Sequence, residues 1–486
     1  MKKNTLLLIG LFILGHASGQ NFYGLQNSNF AGVHAMYINP AGLADSRFSQ
    51  HTNVSTFGFN FFNDYMKLET PFTPMDIIRG RVPAQYKHTT GGIKWDPAWV
   101  KEDLNGNPKN MNFGLEWRGP AGMTNVGSKL AIGAGMRTRT SFQLYNVSEE
   151  LARFTKAQID SNPPPFTTLT NNTFALNMNA YQEISGTAAA VLFNRKALYL
   201  KGGATIKYLM GLGSAYAINN GVSIQTAGSD TVIFNKTDVS VGYTNTEFLN
   251  KLINQGTLGA ALPSFKNING GGYGFDFGVV FEWRPAITDA LTDNNRYLLK
   301  GGISLLDWGK ISYNNNINLF AISNTTPVVF DQDSALSAAF AQGINEGLAF
   351  VDSFAQKNFN YTRGPGKLKS SIPTTLNFQV DWNILKKLYL GVNWQQSVVS
   401  KKDIAFRRPS SLVLIPRFET RLIEVSTPLS LYNDYKDVAV GMFVKVGPVF
   451  IGSDNLIKSL QRSSFSGIDL YFGVSYGIPR GKNKKK

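Results

Sequence analysis

The sequence predicts an all-β fold, an antiparallel β-barrel that crosses a membrane, and three observations carry this prediction. The first is Tyr273–Arg284, where every odd-numbered residue is aromatic or valine and every even-numbered residue except Val280 is glycine or charged. A period of two indicates a β-strand, and about 9–11 residues suffice to cross a bilayer at a tilt. The second is that such stretches recur along the chain. The third is that short and long connections alternate between them, as they do in outer-membrane barrels.

Fourteen stretches have the length and alternation of strands. They are His51–Phe62, Met111–Arg118, Leu130–Arg139, Phe174–Phe193, Leu198–Leu212, Tyr273–Arg284, Tyr297–Leu305, Thr374–Asp381, Leu388–Val398, Ser411–Pro416, Arg421–Ser426, Val438–Lys445, Val449–Gly452 and Ile468–Ile478. Fourteen strands are favoured, and twelve remain if the turns at Arg417–Thr420 and Gly447–Pro448 are not real. Both numbers satisfy the even count of bacterial barrels.

A long strand of a soluble sandwich is the alternative for any one of these stretches. The connections argue against it, because those at 63–110, 143–172, 213–269 and 314–370 exceed the loop lengths of compact domains. We expect these four to be extracellular loops that carry short helices at Ser148–Ile159 and near Ser334–Phe354. The short connections at 119–127, 194–197, 285–295 and 383–387 are expected to be periplasmic turns, so both termini are expected to be periplasmic.

The first 19 residues have the pattern of a secretory signal peptide. Lys2 and Lys3 precede the short apolar run Leu6–Leu14, and small residues at 17–19 suit cleavage before Gln20. The predicted organisation is then a signal peptide at 1–19, a plug-like segment at 20–50, a barrel at 51–478 and a basic tail at 479–486. An exported barrel is expected in the outer membrane.

Charge and composition indicate partners rather than catalysis. The formal charge is +16, which in an exported protein suits the anionic headgroups of outer-membrane lipid and lipopolysaccharide rather than nucleic acid. The chain has no cysteine and four histidines without ligand spacing, and it contains no phosphate-loop or nucleophile motif. No enzyme activity, metal or other cofactor is therefore expected.

The polar face of the predicted strands carries charges of both signs. Ten of these residues are expected to face the lumen, namely Glu116, Arg118, Arg137, Arg139, Lys201, Lys207, Asp276, Glu282, Arg284 and Lys300. One interpretation is that they neutralise each other across the interior. The other is that they line a polar conduit. On the opposite face, Trp117, Tyr273, Trp283, Tyr297 and Trp394 are expected to form the aromatic girdles of the lipid interface.

Two stretches resemble known families. Asn39-Pro40-Ala41-Gly42-Leu43 is similar to the Asn-Pro-Ala motif in the plug of FadL-type long-chain fatty-acid transporters. That resemblance implies a 14-strand barrel in which these residues gate the path of a hydrophobic ligand. Thr427–Asn433, Val440-Gly441 and Gly447–Leu456 resemble a domain-of-unknown-function family of Gram-negative outer-membrane barrels.

Two functions follow as expectations. The first is a passive channel for a small hydrophobic solute, with Asn39–Leu43 as part of the plug. The second is a structural or secretion-associated barrel that transports nothing and binds a partner through its surface loops. The sequence leaves the oligomeric state open.

Overall fold

The computed structural model describes residues 21–480 except 74–75, 78, 89–91, 95, 128, 160–166, 196, 228–230, 245–267, 286–296, 332–337, 340–341, 365 and 457–466. The predicted signal peptide, Gln20 and residues 481–486 of the basic tail lie outside the described residues. So do most of the predicted turn at 285–295 and the start of the helix predicted near Ser334.

The described chain folds as a closed antiparallel barrel of 14 strands, which confirms the predicted fold class. Each strand pairs with the next along the chain, and the last pairs with the first to close the cylinder. The strands are β1 (Phe48–Asn63), β2 (Lys109–Val126), β3 (Leu130–Val147), β4 (Thr168–Arg195), β5 (Leu198–Thr226), β6 (Gly270–Trp283), β7 (Leu299–Tyr313), β8 (Thr375–Leu385), β9 (Leu388–Ser397), β10 (Ser411–Glu419), β11 (Ile423–Ser426 with Leu429–Tyr432), β12 (Asp437–Val440 with Met442–Val446), β13 (Val449–Ser453) and β14 (Gly467–Pro479).

Both turns on which the strand number depended are present, the first at 420–422 rather than at the predicted 417–420 and the second at 447–448. β11 is interrupted at Pro428, which has no amide N–H for the ladder. The partner strand β12 is interrupted at Gly441, whose amide donates to the Pro428 carbonyl at 2.7 Å. We call the end of the barrel with these short connections the turn end and the opposite end the loop end.

Alternation sorts the side chains between lipid and lumen. On β6, Tyr273 is 60 % exposed and Trp283 41 %, whereas Asp276 and Glu282 are buried inside. The prediction for Tyr297 was wrong. Its hydroxyl points into the lumen and donates to Asn29 at 2.7 Å, because the residue precedes β7 and does not follow that strand's alternation.

The bounds of the turn predicted at 119–127 were also wrong, since the short connection lies only between Val126 and Leu130. β2 continues to Val126, because a register shift against β3 between Arg118 and Ala121 absorbs Gly119 and Pro120 into the strand. Such a bulge bends a strand without ending it.

The long loops carry additional structure above the barrel. β4 and β5 have 28 and 29 residues, more than a bilayer requires, and short strands extend their sheet. Those strands are Thr231–Lys236, Asp238–Tyr243, Asn318–Ser323, Val328–Asp331, Asn360–Arg363 and Leu368–Ser371. A separate hairpin joins Met66–Leu68 to Val100–Glu102, and short 3-10 helices lie at Ala84–Tyr86 and Pro97–Trp99.

Helices are few. α1 (Tyr23–Gln26) and the 3-10 helices Gly32–Tyr37 and Pro40–Leu43 lie in residues 21–47, here called the N-terminal segment. In the loops, α2 is Glu149–Ile159 and α3 is Ile344–Asn358. None of the helices in the described residues is long and apolar enough to span a membrane.

The N-terminal segment occupies the lumen. It begins at Asn21 beside Phe62 and Tyr432, near the loop end. It reaches the turn end at Asn29, whose side-chain amide donates to Glu419 at 2.9 Å. It then crosses the interior before β1 begins at Phe48.

Candidate functional site

Asn39–Leu43 lies against the inner wall formed by β5, β6 and β7. The Asn39 side-chain amide donates to the carbonyl of Val279 at 3.2 Å and to that of Ile303 at 3.3 Å. Its oxygen accepts the amide N–H of Ala41 at 3.1 Å, which caps the 3-10 helix. Asn39 therefore fixes both the local turn and its position on the wall.

Glycine in the wall permits this close approach. A Cβ placed on Gly203 would lie 2.5 Å from the amide nitrogen of Ala41, so any larger residue meets backbone there. On the next strand, Gly278 faces the Asn39 side chain in the same way. These interior glycines of β5 and β6 thus have a packing role.

The same stretch covers an apolar part of the wall. Val33, Met36 and Leu43 of the N-terminal segment are buried in one hydrophobic cluster. The wall contributes Ala121, Met123, Ala131, Ala189, Val191 and Tyr199. This apolar patch of the wall is shielded from water only while the N-terminal segment or another apolar molecule covers it.

Arg118 links the N-terminal segment to the wall by ring contacts. Its guanidinium lies 3.8 Å from the ring centre of Phe22 and 4.4 Å from that of Tyr37, with its Nε on Glu116 at 2.7 Å. Stacking on two rings suits a desolvated guanidinium, because each such contact is worth up to about 2 kcal/mol when water is excluded.

A buried ionic cluster surrounds Arg118 in the middle of the barrel. Arg137 contacts Glu183 at 2.6 Å and Asp307 at 3.2 Å, while Arg139 contacts Asp307 at 2.8 Å and Glu116 at 3.2 Å. Lys207 completes it with Asp276 at 2.7 Å and with Asp307. Six of the ten residues expected in the lumen meet here, and they form ion pairs.

The other four lie near the turn end. Lys201 and Arg284 both contact Glu282, and Arg284 reaches Asp45 of the N-terminal segment at 2.9 Å. Lys300 contacts Asp381 at 3.2 Å. The structure thus places six of the ten residues in the central cluster, three in a group that Asp45 joins to the N-terminal segment, and Lys300 in a separate ion pair.

Several lumen residues escaped the sequence analysis. Glu183 lies directly opposite Arg137 on the adjacent strand, and the alternation of its strand could have revealed that it faces the lumen. Asp307 could not be found that way, because its φ of 54° and the register shift between Phe275 and Phe277 reverse the alternation of β7.

A loop closes the lumen from the other side. Residues 398–410 fold inward, where the Asn177 side chain donates to the Asp403 carbonyl at 3.2 Å. The Gln143 side chain accepts the Arg407 amide at 2.8 Å, and the Arg407 guanidinium contacts Asp434 at 2.6 Å. We call residues 398–410 the inward loop.

Little space is left between these two closures. Three interior cavities measure about 90, 20 and 10 Å³. The first lies at the turn end, between Asp45 and Lys300. Each is far below the roughly 300–1,000 Å³ of an ordinary ligand pocket.

A closed antiparallel barrel with an apolar outer face is the architecture of a transmembrane β-barrel protein. Within that class, the chain belongs to the Family of unknown function (DUF5723), which it matches over residues 40–454. No curated protein gives a significant match.

Solved structures with a similar barrel are distant in sequence. The toluene transporter TbuX of Ralstonia pickettii is 10 % identical, with a TM-score of 0.39 and coverage of 92 % of this chain and 94 % of that one. A deletion mutant of the monoaromatic hydrocarbon channel TodX is 9 % identical, with a TM-score of 0.40 and coverage of 93 % and 95 %. A FadL homologue of Pseudomonas aeruginosa is 11 % identical, with a TM-score of 0.23 and coverage of 95 % and 97 %.

Proposed function

We propose that this protein is a passive, non-enzymatic channel of the outer membrane for a small apolar solute, closed at rest by the N-terminal segment. The observation that carries the proposal is the apolar wall patch beneath Leu43 and Met36. That patch is covered by a separate piece of chain, so displacement of the segment exposes an apolar surface along the lumen.

The contacts that hold the segment suit reversible displacement. They are the two Asn39 hydrogen bonds, the ring contacts of Arg118 and ion pairs such as Asp45 with Arg284. All of these contacts are non-covalent, and each contributes on the order of 1 kcal/mol to the closed state. We propose that the turn end, where β1 begins and β14 ends, faces the periplasm.

A second candidate function is a barrel that transports nothing and binds a partner through its loops. The observation in its favour is the sheet that extends β4 and β5 above the barrel. Such a protein has no need for its N-terminal segment to move. The two functions therefore differ in whether Leu43 and its neighbours must move away from the wall.

A disulfide lock distinguishes them. The native chain has no cysteine, and a Cβ on Gly133 would lie 2.7 Å from Cδ2 of Leu43. A leucine Cδ atom lies about 2.5 Å from its own Cβ, so the two Cβ atoms of Leu43→Cys/Gly133→Cys are within about 5 Å, near the roughly 3.5–4.5 Å that a disulfide needs, and the pair should bond on oxidation.

Uptake of an apolar fluorescent dye by cells that produce each protein is the measurement. We expect oxidation to abolish uptake through the double variant and reduction to restore it, while Leu43→Cys alone is unaffected. Equal uptake through the oxidised and reduced forms contradicts gating by the segment. No uptake through any form, wild type included, contradicts transport.

A further inference from the structure

Arg408 on the inward loop is a buried cation with no partner among the described residues. The residue is 6 % exposed, and within the described chain no carboxylate forms an ion pair with it. Its neighbour Arg407 shows the contrast, because both terminal nitrogens of Arg407 contact Asp434, at 3.1 and 2.6 Å. An unpaired buried charge is costly, so Arg408 calls for a counter-ion.

The surrounding ionic cluster does not supply one. Its four carboxylates already form ion pairs with the other cations. Glu116, for example, is shared by three arginines, with Arg118, Arg137 and Arg139 at 2.7, 3.7 and 3.2 Å. With Arg408 included, the cations outnumber the anions by one. The cations are Arg118, Arg137, Arg139, Lys207 and Arg408, and the anions are Glu116, Glu183, Asp276 and Asp307.

A small cavity lies where the missing charge is needed. It measures about 20 Å³ and is lined by Arg408, Arg139, Thr140 and Phe406, among others. That volume holds one water-sized species, since about 10–15 Å³ is the minimum for a water molecule. Arg139 also has a buried Nη2 without a hydrogen-bond acceptor in the described structure. Arg139 and Arg408 thus line one cavity.

We propose that this cavity binds a single small anion, of the size of chloride, between Arg408 and Arg139. The anion balances the excess positive charge and accepts the free donors of both side chains. Arg408 belongs to the inward loop and Arg139 to β3, so the ion connects the loop to the wall. Occupancy therefore stabilises the closed position of the inward loop, independently of the N-terminal segment and of the solute that the barrel transports.

Crystals of the wild-type protein grown in bromide give the direct test, because bromide scatters anomalously. An anomalous peak beside Arg408 and Arg139 is expected. Refined density for a water molecule alone in that cavity, without anomalous signal, overturns the proposal. This measurement needs no variant to fold.

Thermal unfolding in detergent gives the test in solution, at equal ionic strength in sodium chloride and in sodium gluconate, whose anion is too large for the cavity. The wild-type midpoint should be higher in chloride and rise with its concentration, as for any ligand that binds only the folded state. Arg408→Gln should lose this chloride dependence, and Arg421→Gln, at an exposed turn residue, should keep it. Equal midpoints for the wild type in both salts, or an unchanged dependence in Arg408→Gln, contradict the proposal.

Discussion

Gly203 offers a sharp test of how the N-terminal segment closes the barrel. In Gly203→Ala the new methyl group would lie 2.5 Å from the Ala41 nitrogen. Ordinary contact requires about 3.4 Å or more, so the backbone at Ala41 must retreat by about 1 Å. Asn39 then loses its hydrogen bonds to Val279 and Ile303, which already measure 3.2 and 3.3 Å. At about 1 kcal/mol each, the closed state loses about 2 kcal/mol.

A loss of that size favours the open state about 30-fold, since 1.4 kcal/mol is a factor of ten. The assay is the open probability of single channels in planar bilayers, together with dye uptake by cells. Gly202→Ala is the matched control. It lies next to Gly203 on the lipid face, where its Cβ would meet only the movable end of Leu192. If the two variants have the same open probability, the segment is not held in the way described.

Three further predictions test the closure and its orientation. Asn39→Ala removes both wall hydrogen bonds and the cap on the Ala41 amide, so fatty-acid uptake and liposome swelling should exceed those of the wild type; values equal to wild type would contradict the proposed role of Asn39. Burial holds the pKa of His34 well below its usual value, and Arg118, His51 and Lys445 lower it further. In the open state the hydrated ring takes up a proton below about pH 6.5, whereas in the closed state it stays neutral. The closed state therefore loses about 1.4 kcal/mol of stability, relative to the open state, for each pH unit below that value. Channel opening should thus increase between pH 7 and pH 5, and His34→Gln should flatten the response; a pH response that survives this substitution would assign it to another group. Finally, an impermeant maleimide should label Asn360→Cys on intact cells and Arg421→Cys only after the outer membrane is permeabilised; the reverse pattern would invert the proposed orientation.

Alternation in the sequence was sufficient for the barrel itself. It located all 14 strands, because lipid on one side and a polar interior on the other leave a strong period-two pattern, as in β6. It failed where the backbone departs from a regular strand. Gly119 and Pro120 read as a turn but lie in a bulge, and Asp307 was missed because its positive φ reverses the order of faces.

The partners of the lumen charges could not be predicted in the same way. Arg284 and Asp45 are 239 positions apart, and only the closed cylinder brings them together. Alternation states which face a charge lies on, but it does not state which strand lies across the lumen. The inward loop was missed for a related reason, since its contacts with Gln143 and Asn177 are made across the interior.

The contact between the two chain ends has a consequence for assembly. Asp45 lies just before β1 and Arg480 just after β14, and their side chains form an ion pair. The Arg480 amide also donates to the Arg47 carbonyl at 3.1 Å. These contacts span the seam where the first and last strands meet, so they form only when the cylinder is complete. The N-terminal segment is therefore fully anchored only after β14, the last strand of the chain, has joined β1.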